Sequence, residues 1–221
     1  MGVQFSDYTR IRLPDIKIDK YIMERIVCKM EHDFFIGSVR FNNKTYLENI
    51  RWKQRKKHTG CAYGLDKPLC KNIPSKKYIY IIEMNNDINK IMGIGKIKNQ
   101  VVYSNRSRMY KEDRLNKYIY KSSNFISRND IIKSKEKAKI VLRFLENILF
   151  YGYKHFKRGQ GCVIIPWDRI LTEGCKKIPY NKSNPKKCPI CGKSLKGHIC
   201  QSLKKNFKLQ HFIYNWFSSL F

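Results

Sequence analysis

Cys188 and Cys191 flank a Pro-Ile pair in Cys-Pro-Ile-Cys-Gly-Lys, and His198 and Cys200 follow, a spacing of C-x2-C-x6-H-x-C. Two thiolates so placed can grip one tetrahedral ion, and Gly192 lets the chain turn beside them at no steric cost. His198 and Cys200 complete a Cys3His set. Four N and S ligands leave no open coordination position, so the expected Zn2+ is structural and not catalytic. Two alternatives stand beside this set: Cys175 or His211 as the fourth ligand, or unliganded reduced thiols. Lys186, Lys187, Lys193, Lys196, Lys204 and Lys205 crowd the segment. That density points Lys193 and Lys196 toward nucleic acid.

A second cluster is Arg51-Trp-Lys-Gln-Arg-Lys-Lys-His58, where Trp52 stands among the cations Arg51, Lys53, Arg55, Lys56 and Lys57. An indole among cations can stack on a base while the charges neutralise phosphates. The alternative is a solvated helix face with Trp52 in the core. His58, Cys61 and Cys70 are a weaker metal candidate, having only three ligands at poor spacing. In Lys154-His-Phe-Lys-Arg-Gly-Gln-Gly161, Gly159 and Gly161 would bring backbone amides to an anion beside Lys157 and Arg158. No GK[ST] follows, so this is not a Walker loop.

Nuclease chemistry needs clustered carboxylates around a hard cation. Asp15, Glu31, Glu83, Asp87 and Asp113 are scattered, and no Ser/His/Asp or Cys/His set stands out. Catalytic residues are therefore not assigned, and a binding protein is expected rather than an enzyme. The opening Met-Gly-Val-Gln-Phe-Ser fits the N-myristoylation pattern at Gly2. With a basic body, that would make a two-signal membrane anchor.

These groups need elements to hold them. Residues 19–31 have a short amphipathic helical pattern behind Asp19. Residues 34–41 read as a strand interrupted by Gly37. Residues 43–58 read as a helix capped by Thr45 and stopped by Gly60. Tyr78–Met84 and Ile91–Lys98 are apolar, β-branched runs joined by Asn-Asn-Asp-Ile-Asn-Lys, a buried hairpin. Further short strands are expected at 100–103, 117–120 and 162–166. Residues 134–150 make a helix capped by Ser134, with Ile140, Val141, Phe144, Leu145, Ile148 and Leu149 on one face. Residues 203–221 form an aromatic, roughly helical tail.

The division is thus an α+β body over 1–172, a basic linker over 173–187, and a zinc module with an aromatic C-terminal helix over 188–221. The 221 residues suffice for a sizeable core. They carry 46 Lys and Arg against 17 Asp and Glu, a net charge of +29. From residue 151 onward the acids are only Asp168 and Glu173. Such a globule repels itself, and a polyanion relieves the repulsion. No apolar run reaches the ~18 residues a membrane span needs, and no secretory signal is expected. The cysteines are then expected reduced, in an intracellular compartment.

At residues 83–99, Glu-Met-Asn-Asn-Asp-Ile-Asn-Lys-Ile-Met-Gly-Ile-Gly-Lys-Ile-Lys-Asn, and at 154–166, the chain resembles an uncharacterised family of nucleocytoplasmic large DNA viruses. Its Lys, Ile, Asn and Tyr content is what an AT-rich genome favours. The hairpin also resembles the strand pair of PUA-like domains of the EVE and ASCH kind. That resemblance implies a small β-barrel with flanking helices and an aromatic pocket for RNA or a modified base. Tyr80, Tyr103 and Trp52 are the aromatic residues nearest the hairpin for such a pocket. The expectation is a viral DNA- or RNA-binding protein acting in transcription or nucleic-acid handling, partnered by nucleic acid and viral transcription proteins. It would work in host cytoplasm, nucleus or virion. The competing classes are a nuclease and a basic packaging or membrane-associated protein.

Overall fold

The computed structural model describes residues 34–69, 73–102, 108–134, 138–151, 155–158, 161–166 and 207–221. In chain order the elements are β1 (Phe35–Phe41), α1 (Asn43–Arg55), β2 (Cys61–Leu65), β3 (Tyr78–Asn85), β4 (Lys90–Lys98), a 3₁₀ turn (Asp113–Asn116), β5 (Tyr118–Ser122), β6 (Phe125–Ser127), α2 (Arg128–Ser134), α3 (Ala138–Phe150), β7 (Cys162–Ile164) and α4 (Phe207–Ser218).

The hairpin forms as its apolar, β-branched runs and turn residues predict, with β3 and β4 antiparallel and a register irregularity between Glu83 and Met84. Around it grows a five-stranded mixed sheet in the order β6-β4-β3-β1-β7. β1 runs parallel to β3, Phe35 opposite Ile79 through Phe41 opposite Asn85. A parallel neighbour requires a crossover, and α1 lies within it. β2 and β5 form a separate antiparallel ladder.

The expected closed barrel does not form among the described residues. The sheet keeps two edges, β6 and β7, and the β2–β5 ladder is not joined to either. The reason is the parallel β1–β3 pair, which puts β3 mid-sheet and sends β2 over one face instead of into the hydrogen-bonded round.

Both faces are covered. Even-numbered residues of β3, Tyr80, Ile82 and Met84, pack with Ile131 of α2, with Val141, Leu142, Leu145, Ile148 and Leu149 of α3, and with Ile213, Trp216 and Phe217 of α4. Odd-numbered Ile79 and Ile81 pack with Val39, Trp52 of α1, and Cys61, Tyr63, Ile119 and Tyr120 of the ladder. This is the period-2 side-chain alternation of a strand buried on both sides.

Several expected boundaries move. Thr45 is not the cap of α1: Asn42 is, its side chain accepting from the Thr45 amide at 2.8 Å while the Thr45 hydroxyl accepts from the Asn42 amide at 3.1 Å. The helix ends at Arg55, before Gly60, and Lys57 takes the left-handed conformation at φ 50°. The expected helix over 134–150 is α3, Ala138–Phe150, and Ser134 is not its cap but the last residue of α2, its hydroxyl donating to the Ile131 carbonyl. Residues 100–102 are not a strand. The aromatic tail does hold a helix, α4, whose Ile213, Trp216 and Phe217 share a core with β1, β3 and α3. The helix over 19–31, the 173–187 linker and Gly2 lie outside the described residues. No described helix is long and apolar enough to cross a membrane.

Candidate nucleic-acid interface

α1 presents two chemically distinct sides. Trp52 and Asn49 are buried, and Tyr46 and Lys53 are half-buried on the same inward side. Arg51 and Arg55 point outward, and the chain continues into Lys56 and Lys57, also exposed. The helix is held at its start by the Asn42–Thr45 capping box and by the Asn43 amide, which donates to the Asp87 carboxylate at 2.8 Å. Its last turn carries Lys53 and Arg55, the sign that the helix C-terminus favours.

Arg51, Arg55, Lys56 and Lys57 have no acidic partner within ion-pair distance among the described residues. The described ion pairs are Arg108 with Asp113, Arg114 with Glu112, and Arg128 with Glu146. The result is an exposed, uncompensated cationic strip on one helix and the turn after it. Lys53 does not belong to the strip. Its ammonium sits 4.6 Å from the centre of the Phe125 ring.

Trp52 corrects the stacking expectation. It is 2% exposed, packed in the core, with the His58 ring 6.1 Å away at its edge and the Lys121 ammonium 5.9 Å from it. Its place in the 46-49-52 inward row of α1 decided this, since the cations occupy the other positions. The two described members of the His58, Cys61, Cys70 metal candidate are bonded elsewhere. His58 Nε2 lies 3.0 Å from the Cys61 carbonyl, and the Cys61 thiol donates to the Asn124 carbonyl. Cys70 lies outside the described residues.

Beneath α1 lies a cluster, Glu83 with Tyr63 and Cys61, that the sequence did not bring together. Glu83 is 0% exposed in mid-β3. The Tyr63 hydroxyl donates to its Oε1 at 3.0 Å, and Oε2 has no hydrogen-bond partner. Burial pushes the Glu83 carboxyl above the usual carboxylate range, with Lys53 and the Tyr63 bond pulling more weakly the other way. Burial, reinforced by the Glu83 charge, pushes the Cys61 thiol up to about 12. Cys162 is likewise raised to about 12 by burial, against the opposing charge of Arg40. Thiols so shifted stay protonated at neutral pH and are poor nucleophiles. A neighbouring amide, Asn49, donates to the Ala62 carbonyl and to the Tyr110 hydroxyl. The signal for Glu83 was available: one acid inside Tyr78-Ile-Tyr-Ile-Ile-Glu-Met, a run otherwise made for burial.

The described residues of the 154–161 loop, 155–158 and Gly161, gather around a cation. The Arg40 guanidinium donates to the carbonyls of Phe156, Arg158 and Gly161 at 3.1, 2.8 and 3.3 Å. Lys157 donates to the Asn89 side-chain oxygen at 2.7 Å, which ties the loop to the β3–β4 turn. Arg158 is exposed. These carbonyls face a cation, and Gly159, half of the amide cradle expected for an anion, lies outside the described residues.

Of the scattered carboxylates, Glu83 is buried, Asp87 accepts from Asn43 and Asp113 pairs with Arg108. Among the described residues no group of three or more His, Cys, Asp or Glu side chains is placed to hold a metal ion. Cys188, Cys191, Lys193, Lys196, His198 and Cys200 lie outside the described residues. No protein-family model, curated protein or solved structure matches this chain.

Proposed function

We propose that this protein binds nucleic acid, with Arg51, Arg55, Lys56 and Lys57 as a phosphate-contacting strip. The observation that carries the reading is that all four are exposed on one capped helix and its terminal turn, with no described acid to neutralise them. A net charge of +29 gives a polyanion a long-range attraction as well. Phosphate contacts of this kind release counterions, so affinity falls steeply with salt. The test is binding of labelled DNA and RNA oligonucleotides between ~0.05 and ~0.2 M salt. A steep linear fall of log K against log salt supports the reading; no binding to either nucleic acid at the lower salt overturns it.

The same reading includes a structural Zn2+ on Cys188, Cys191, His198 and Cys200, with Lys193 and Lys196 beside it. The ligand spacing supports it. Metal content of the purified chain is expected at one zinc, lost in Cys191→Ser; full zinc in that variant would mean a different ligand set. The likeness of residues 83–99 and 154–166 to a family of large DNA viruses supports a setting in viral transcription or nucleic-acid handling.

A further inference from the structure

On the sheet face opposite α1, β3 and β4 end in two cross-strand pairs of an aromatic and a cation. Tyr78 faces Lys98 and Tyr80 faces Lys96 in the register. The Lys96 ammonium lies 5.2 Å from the Tyr78 ring centre, 5.4 Å from that of Tyr80 and 5.9 Å from that of Phe221. The Lys98 ammonium lies 5.5 Å from the Tyr78 ring. The inner ring is fixed. Tyr80 is 6% exposed and wedged against Phe34, Phe217 and Phe221 at 5.0, 5.5 and 5.9 Å. The outer rings are open, Tyr78 at 44% exposed and Phe221 at 37%. Neither lysine has an acidic partner within ion-pair distance among the described residues.

Three features of this end of the sheet agree. An exposed aromatic ring on a strand offers a face on which a base can stack. A packed ring beneath it holds the strand ends in place. Two ammonium groups gathered at the ring, with no acid beside them, provide for the phosphate that accompanies each base. A duplex keeps its base faces stacked inside the helix, whereas a single strand offers them.

We propose that Tyr78, flanked by Lys96 and Lys98, is a base-stacking platform that takes single-stranded nucleic acid. The proposal rests on the nucleic-acid-binding reading above and adds a strand preference and a second site, on the other side of the sheet from the α1 strip.

The experiment measures affinity for one labelled oligonucleotide, single-stranded and annealed to its complement, at ~0.1 M salt. It uses the full chain and the variants Tyr78→Ala, Tyr78→Phe and Lys98→Gln. Tyr78→Ala is expected to weaken single-strand binding about 5- to 150-fold and duplex binding far less, the range measured for loss of one base stack. Tyr78→Phe keeps the ring and is expected to restore the affinity, a rescue that a merely structural hydroxyl would not give. Lys98→Gln is expected to weaken both forms alike and to reduce the salt slope by about one contact. Because Tyr78 is exposed, its thermal melting should stay close to that of the parent. Equal losses on single strand and duplex, or no loss in Tyr78→Ala while the parent binds normally, would overturn the platform and leave the α1 strip standing. If the parent binds neither form, the nucleic-acid reading fails and the platform with it. Retention on anionic lipid vesicles in place of either oligonucleotide would assign the lysines to a membrane surface and overturn the proposal.

Discussion

Against one face of the central sheet, α2, α3 and α4 bury chiefly Ile, Leu, Val and Phe side chains. Against the other, α1 and the β2–β5 ladder bury a carboxyl, an amide and three tyrosines, at Glu83, Asn49, Tyr63, Tyr110 and Tyr120. The helical face is held mainly by apolar area, with one directional anchor where Glu146 accepts from the Ile91 amide and Arg128 donates to the Ile91 carbonyl. The ladder face is held by directional bonds: Tyr63 to Glu83, Asn49 to the Ala62 carbonyl, and the Leu69 amide to the Tyr120 hydroxyl at 2.9 Å. Such bonds add little net stability but are costly to leave unmade, so they select one placement of α1 over the sheet. The difference bears on function because the cationic strip rides on α1. Its position is set by the polar side of the molecule.

Three substitutions probe that contrast. The largest effect is expected on the apolar face. Leu142 is fully buried in α3, and Leu142→Ala should cost ~2–5 kcal/mol by lost transfer energy and a cavity. Urea unfolding would measure it, and a cost under ~1 kcal/mol would mean that this face is loosely packed.

On the polar face, Gly95 makes room for the ladder. A Cβ there would stand 2.4 Å from the Tyr63 hydroxyl, 2.6 Å from the Cys61 sulfur and 2.9 Å from the Cys61 Cβ. Gly95→Ala should therefore cost ~1–3 kcal/mol as the ladder is pushed off the sheet. The same unfolding experiment reads it, and a neutral or stabilising result would contradict the close approach of β2 to β4.

The smallest effect, and the one with a pH signature, is at Glu83. Its folded-state pKa is raised by burial, so the folded chain keeps a proton that the unfolded chain has released. Its contribution is therefore fully present below the unfolded pKa of about 4.3 and is lost as pH rises through the higher folded value. Glu83→Gln keeps an acceptor for Tyr63 and does not titrate. Its stability relative to the parent should rise with pH across that window, and melting curves at several pH values would show it. Parallel stability profiles for the two proteins would mean that Glu83 does not titrate as the burial implies.

What the sequence revealed followed the range of its signals. The β3–β4 hairpin and the helical tail were readable because apolar β-branched runs, turn residues and the apolar stripe are all local. β2 was missed: Cys-Ala-Tyr-Gly-Leu is five residues between Gly60 and a polar stretch, and it has no β-branched residue to betray it. The parallel pairing of β1 with β3 was invisible for another reason. It joins residues more than forty positions apart, and no local pattern distinguishes a parallel partner from an antiparallel one, so the barrel expected by resemblance gave way to an open sheet. At the candidate sites, the cations of α1 were found by composition alone. Trp52 was the harder case. It needed the helical phase of residues 46–53 to be read against the cations, which puts the indole inward. Tyr78 was passed over for Tyr80 because both lie in one apolar run, and only the packing of Phe217 and Phe221 over Tyr80 separates the buried ring from the open one.

The central claim is that the α1 strip contacts phosphates. The direct measurement is the salt dependence of nucleic-acid affinity for the parent and for a variant carrying Arg51→Gln, Arg55→Gln, Lys56→Gln and Lys57→Gln. All four side chains are exposed, so the variant should melt close to the parent. Each lost contact removes about 0.7 to 0.9 from the slope of log K against log salt, so the slope should shrink by about 3 units, with weaker binding at every salt. An unchanged slope in a folded variant would contradict the account.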